Sequence, residues 1–530
     1  MKKRHRHKNN NITIKQVDER YSVLFWLVMA FVALFLFIAP FKQGLFNGGT
    51  VNFEGPIYHA MLWTFIALMI VSIYFFFHWK LQDHRDILSI AIWLIPLSYV
   101  LSLFNAVSYH SALNSVYIHT MYAVFFLIGL YFARNELGSR IIQYSILLSG
   151  YMLVIFGWMN WFGDASLFGL IQYSDGAGGV SNVYKDAVMT WGTRLANVFQ
   201  YPNTYAAFLI GMLVMSLLFV MQAKKWYISL IHAFMLVPIM ISFFLTNSRR
   251  ACLTLSVISL LFLILCSWKK QIMLLSHLII ILPVSLFFME RVNNWFTLIV
   301  VSVIVGAFLS LLQIVISKLL IRFSSKVKYN LIIPSLFTFL GSLFFIILWN
   351  GKIPFSNLLP ARLVKRIKSI SLENAFSRNT FYGDSFEIIK DYPWFGAGGG
   401  AWSNLYPQYQ SYPYTSNQVH NFFLQYTIET GIIGLLILLV LLIYIGWLFI
   451  KRLVIQRNME EHYRSLFFFA FPSAFLIHSV LDFDMTYVYV GALVFLCLGG
   501  MVSNIDFPIT RIKLVDIRWN KIYPIVTSII

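Results

Sequence analysis

A histidine, an arginine and a run of glycines share one polar stretch of a chain that is otherwise largely apolar. Residues 378–400 read RNTFYGDSFEIIKDYPWFGAGGG; an aromatic-polar segment follows, then VHNFFLQYTIETGIIG up to Gly434. His420 has the side chain best suited to general-base work near neutral pH. The Arg378 guanidinium offers a fork of donors that matches phosphate oxygens and keeps its charge at any working pH. Together these types suit transfer from an anionic leaving group, whose developing charge fixed cations stabilise. The stretch reads as the reaction centre of a membrane-embedded enzyme.

Helical periodicity positions these groups. On a helix from Arg378 to Asp391, Arg378, Phe381, Tyr382, Phe386 and Ile389 share one face, and Asp384, Glu387, Lys390 and Asp391 fall on the other. An arginine on an apolar face either snorkels or is aimed at a buried anion. Pro393 and the glycines 396 and 398–400 end the helix and allow tight turns or close backbone approach to a ligand. Thr415-x-x-Gln418 has the form of a capping box that opens the next helix. That places His420 in its first turns, where the helix dipole favours neutral imidazole.

The remainder is built to hold this stretch at a bilayer. Of 530 residues, 59% are hydrophobic and 12% charged. Apolar runs of about 20 residues recur, each long enough to cross a membrane. The expected fold is an all-α polytopic membrane protein with about 12–14 transmembrane helices and a large extracytoplasmic loop. The spans lie near 22–41, 58–77, 87–105, 112–133, 141–162, 204–222, 226–245, 251–267, 271–289, 295–317, 331–350, 421–450, 465–481 and 487–504. The organisation follows: a basic tail at 1–20, membrane helices over 21–350 with an outer loop at 163–203, a large loop at 351–419, C-terminal helices at 420–504 and a tail at 505–530. The formal charge of +19 fits anionic headgroups and the positive-inside rule, with some left for an anionic substrate; no nucleic-acid partner is expected. Cys252, Cys266 and Cys497 lie in apolar spans at no metal-ligand spacing.

Lysine and arginine alternate between loops so as to put both termini in the cytoplasm. Arginines at outer span ends depart from the rule: Arg194 in the 163–203 loop, the pair Arg249–Arg250, and Arg378 in the 351–419 loop. Arg249 and Arg250 read either as interfacial anchors or as an anionic-headgroup site. No metal or cofactor is expected, because no HExxH or Walker loop is present and Asp482-Phe-Asp484 lies at a span end with no nucleotide-binding context. His119, His232 and His277 fall in spans and read as packing or interfacial residues.

Four motifs in order resemble the O-antigen ligase and O-antigen polymerase superfamily. They are Arg194-Leu-Ala-Asn-Val-Phe-Gln-Tyr-Pro202-Asn203, Thr246-Asn-Ser248-Arg249-Arg250-Ala251, Arg378 with Asp391-Tyr-Pro393-Trp-Phe-Gly396 and His420-Asn421-Phe-Phe-Leu-Gln425, and His478-Ser-Val-Leu-Asp482-Phe-Asp484. The resemblance covers residues 190–500. It implies a GT-C-like fold and metal-independent, inverting glycosyl transfer on the extracytoplasmic face of a bacterial cell membrane. The implied donor is a glycan on undecaprenyl diphosphate, and the acceptor a glycan or lipid-linked acceptor. Flippase and chain-length-control proteins are implied partners. Carried over, His420 activates the acceptor hydroxyl. Arg378, one of Arg249 and Arg250, and Arg194 hold the diphosphate. Asn203, Asn421, His478 and Asp482 support them. A second arginine after Arg249 departs from the family pattern. Polymerase is favoured over ligase by an amino-acid usage that suits an AT-rich bacterial genome. A flippase would instead line a central cavity with cations and show inverted repeats, and none is visible.

Overall fold

Within hydrocarbon a chain can satisfy its own amides only as helices or a closed barrel, and each of the expected spans is helical in the computed structural model of the protein. The structure describes residues 22–48, 51–162, 194–223, 225–322, 330–349, 372–455, 459–505 and 516–529, with 173–174, 180–181, 360, 364, 507 and 508 besides. The tail expected at 1–20, most of the outer loop at 163–203 and nearly all of 351–371 lie outside the described residues.

In chain order the helices are α1 (Val23–Ile38), α2 (Val51–His78), α3 (His84–Ala91), α4 (Leu94–Ser102), α5 (Tyr109–Phe132), α6 (Glu136–Phe162), α7 (Pro202–Gln222), α8 (Trp226–Leu245), α9 (Arg249–Leu265), α10 (Trp268–Phe288), α11 (Trp295–Ile321), α12 (Ile332–Trp349), α13 (Leu372–Asp391), α14 (Ala401–Tyr409), α15 (Phe422–Ile455), α16 (Met459–His478), α17 (Val488–Met501) and α18 (Asp516–Ile529). A two-residue antiparallel ladder pairs Tyr173–Ser174 with Val180–Ser181. Among the described residues ten segments are long and apolar enough to cross a membrane, with Ile332–Leu343 and Val488–Met501 as shorter apolar helices. The expected span at 87–105 is two helices, α3 and α4, broken at Ile92 and Trp93.

Helices in lipid gain little from apolar burial against one another, so close packing holds them. The core pair is α5 and α17. A Cβ added to Gly129 would lie 2.0 Å from Leu496 O, and one added to Gly499 would lie 2.1 Å from Phe126 O. The two backbones are therefore in contact, and only glycine fits at that crossing. Around this pair α7 is almost wholly buried, whereas two thirds of the apolar windows of α11 and α15 face outward.

The segment after residue 505 differs from the expected tail. It carries α18, which packs on α2. Tyr523 is buried there, donating to Ser89 O (2.6 Å) and accepting from Trp93 Nε1 (3.2 Å). Trp79 and Tyr523 rings add a contact at 4.4 Å. The apolar side of this short helix has a partner, which hydropathy over a long window does not register.

Candidate functional site

The chemistry-bearing residues converge where several helices end on one side of the bundle. Ser248 caps α9 by accepting from Ala251 N (3.3 Å). That cap fixes Arg249 and Arg250 in the first helical turn. Cations are disfavoured there, because the helix dipole places partial positive charge at the N-terminus. A helix start with two arginines thus calls for a compensating anion.

Asp482 supplies one. It sits in the turn between α16 and α17 and is fully buried. Arg250 Nη1 donates to its Oδ2 (2.6 Å) and to Leu481 O (2.9 Å). Asn203 Nδ2 donates to the same Oδ2 (2.9 Å), and the Tyr201 hydroxyl reaches Oδ1 at 3.1 Å. His420 Nδ1 lies 3.3 Å from Oδ1. Burial works to raise the Asp482 pKa. The hydrogen bond from His420 and the Arg250 charge overcome it and hold the carboxyl at about 2. Burial, and then the Asp482 charge, keep Tyr201 protonated as a donor.

Two further arginines reach this centre. Arg378 Nη1 donates to Leu481 O (2.7 Å), the carbonyl that Arg250 also uses. Arg194 donates from Nε to Thr246 O (2.7 Å) and from Nη2 to Asn203 Oδ1 (2.9 Å). Arg378 and Arg250 therefore meet at one carbonyl, beside a single carboxylate. Arg249 is half-buried in the same turn as Arg250, and consecutive helical side chains diverge by about 100°. Arg250 joins Asp482 directly.

His420 differs from expectation in its backbone. The helix starts at Phe422, with Leu424 N donating to Asn421 Oδ1 (3.1 Å), so Asn421 is the cap. The Thr415–Gln418 capping box does not form: Ser416 Oγ turns onto Gln418 O (2.7 Å) and Gln418 Oε1 accepts from Thr486 (3.1 Å). His420 precedes the helix with φ of 60°. Its ring packs against the Phe483 edge at 4.9 Å and parallel to Phe381 at 6.1 Å. With Nδ1–H donating to Asp482, Nε2 keeps the lone pair that a base needs.

The face of α13 is also rotated from the one expected. Phe386 is exposed and Asp384 is buried. Asp384 accepts from Tyr414 (2.7 Å) and from Ser411 N (3.2 Å), and Ile388 enters a small core with Trp402 and Val419. A buried aspartate with two donors counts as inward-facing, which hydrophobicity alone misses. Gly396, Gly398 and Gly399 pack closely against protein, and Gly400 N donates to Glu429 Oε1 (3.2 Å). Ala397 N donates to Ile428 O (2.8 Å) and Ile432 N to Pro393 O (2.8 Å). A Cβ on Gly396 would come within 2.5 Å of Thr430 N.

His478 stands one step behind the centre. Its Nδ1 pairs with buried Asp484 Oδ2 (2.7 Å), and Thr204 donates to Asp484 Oδ1 (2.8 Å). This pins the turn that carries Asp482. Tyr201 lies within the first motif, and its position just before Pro202-Asn203 is its signal in the sequence. No group of three His, Cys, Asp or Glu side chains able to hold a metal occurs among the described residues.

Fold and site together define a polytopic, all-helical membrane protein with a cationic, histidine-bearing centre at one end. Over residues 233–439 the chain matches the O-antigen ligase family, which bears out the resemblance carried by the motifs and supports the O-antigen ligase and polymerase superfamily. The match includes Arg249, Arg250, Arg378, His420 and Asn421; Arg194, Asn203, His478 and Asp482 fall outside it. No curated protein matches the chain.

Proposed function

We propose that the protein polymerises lipid-linked oligosaccharide by glycosyl transfer on the extracytoplasmic face of a bacterial cell membrane, with undecaprenyl diphosphate as the donor's carrier. The observation that carries this reading is the convergence of Arg250 and Arg378 on Leu481 O beside the Asp482–His420 pair. The guanidiniums hold the diphosphate and stabilise its charge as it leaves. His420 Nε2 takes the proton from the acceptor hydroxyl, and that oxygen attacks the anomeric carbon as the bond to phosphate breaks. The chain's own cations supply the charge stabilisation, so the mechanism calls for no cofactor. Polymerase and ligase share this chemistry and differ in the acceptor. A flippase that hands over the lipid-linked unit and a chain-length regulator are the expected neighbours.

The arginines give a direct test. Removal of one preorganised donor to developing charge costs about 10²–10³ in turnover. Arg378→Ala and Arg250→Ala are each expected to lose that much, and Arg378→Lys to remain defective because a point charge cannot reproduce a bidentate fork. Arg249→Ala should be milder than Arg250→Ala. Polymer yield in membranes at matched protein level reads all four; normal yield in Arg378→Ala would sink the diphosphate assignment.

Orientation is tested separately. Ser411 is exposed and its N–H is held by Asp384 of α13. A Ser411→Cys variant should react with an impermeant maleimide on intact cells. Labelling only after lysis would reverse the face assigned to the reaction.

A further inference from the structure

A second polar space lies across Phe483 from the histidine. It is a cavity of about 130 Å³ at the same end of the bundle, walled by the N-terminal turns of α5 and α15, the start of α14 and by Met485, Thr486 and Val488. At about 30 Å³ per water in the liquid, that is room for about four waters, so a sugar ring would enter it in part. Phe483 lines it and also packs edge-on against His420.

Its chemistry is the opposite of the arginine centre. Glu429 and Glu54 line it, and no lysine or arginine does so among the described residues. Glu429 is 8% exposed and accepts from Tyr99 (2.8 Å), Gln425 Nε2 (3.2 Å) and Gly400 N (3.2 Å). Gln425 Oε1 is buried with no hydrogen-bond partner, a cost that a bound donor would remove. The Tyr99 ring is stacked on His119 at 3.8 Å, and His119 Nδ1 is held by Ser115 O (2.7 Å). His119 is thus more than a packing residue: it borders the cavity. A phosphate here would face two carboxylates with no cation to offset the repulsion. A sugar offers hydroxyls that donate to carboxylate and amide oxygens, and an apolar face that suits aromatic walls.

We infer that this cavity is a saccharide subsite, which seats an uncharged sugar of the glycan next to His420 while the diphosphate sits at Arg250 and Arg378. The inference rests on the transfer reading above for its biological meaning, and its test is a binding measurement that stands apart from turnover.

The probe is the repeat-unit glycan released from its lipid by mild acid, titrated into purified full-length protein in nanodiscs and followed by saturation-transfer NMR. Undecaprenyl diphosphate without sugar is the second probe. Glu429→Gln keeps the shape and removes the charge; Ser403→Trp fills the cavity from a part-exposed position and serves if the first variant folds poorly. Both should weaken the free glycan by about 10-fold or more, with undecaprenyl diphosphate binding retained. Arg250→Ala should show the reverse pattern. Unchanged glycan affinity in Ser403→Trp overturns the subsite, as does loss of both probes together in well-folded cavity variants. Wild-type protein that binds no free glycan also overturns it. Wild-type protein that binds the free glycan but extends no lipid-linked unit overturns the transfer reading alone.

Discussion

Alanine at position 420 is expected to lower turnover by about 10²–10⁴-fold, the usual worth of a positioned general base, while the lipid-linked donor still binds. The separation follows from the geometry. The cations that meet at Leu481 O come from α9 and α13, and neither guanidinium depends on the imidazole for its place. His420 touches the centre through Asp482 Oδ1 alone among its polar side-chain contacts described above. Donor binding to purified protein and the glycan ladder on a gel read the two quantities. A normal ladder would remove the general-base role. Loss of donor binding along with turnover would mark His420 as part of the diphosphate site.

Asp482→Asn should be nearly as damaging, by up to about 10⁴ in turnover, as when the carboxylate that orients a catalytic histidine becomes an amide. Both Asp482 oxygens only accept: Arg250 and Asn203 on one, His420 and Phe483 N on the other. An amide must aim its NH₂ at one of these donor sets. Turned to His420, it puts the proton on Nε2 and removes the base. Turned to Arg250, it opposes a cation. In the proposed mechanism Asp482 positions His420, so the pH–rate profile should change shape in Asp482→Asn, which a merely structural role would not produce. Stability changes as well. Breaking a buried ion pair costs about 3–5 kcal/mol, and less here because the Arg250 side chain keeps 27% of its exposure. The sign with pH follows from the lowered pKa. The carboxylate's contribution is complete above its unfolded value near about 3.9 and is lost as pH falls through about 2. Wild-type melting temperature should therefore fall steeply in acid, and that slope should flatten in Asp482→Asn. An unchanged slope would rule out Asp482 as the group responsible.

Much of the membrane architecture was legible because long apolar runs admit one solution in lipid. The polar stretch 378–434 stood out because charge, glycine and histidine are costly inside a span. Three features were hidden for physical reasons. The inward face of α13 is set by Asp384, whose burial depends on Tyr414 and Ser411, 27 and more residues away. The start of α15 depends on whether Thr415 or Asn421 takes the cap; the capping-box spacing marks Thr415, while Asn421 has a leucine at the third position and takes the cap in the structure. The centrality of Asp482 comes from donors as far as 279 residues away from it in sequence, which no local pattern reveals. Glu429 lies in the quoted run up to Gly434, but its acidic cavity required α4, α5 and α15 to be seen together.

The left-handed backbone at His420 sets stability against activity at one residue. A side chain with a Cβ is strained at a φ of 60°, and glycine is not. Glycine is thus the residue this turn would fold with most comfortably, and histidine is the one the proposed chemistry needs. Selection for robustness alone would drift this position away from imidazole, so a stabilising substitution found here would be a loss of function.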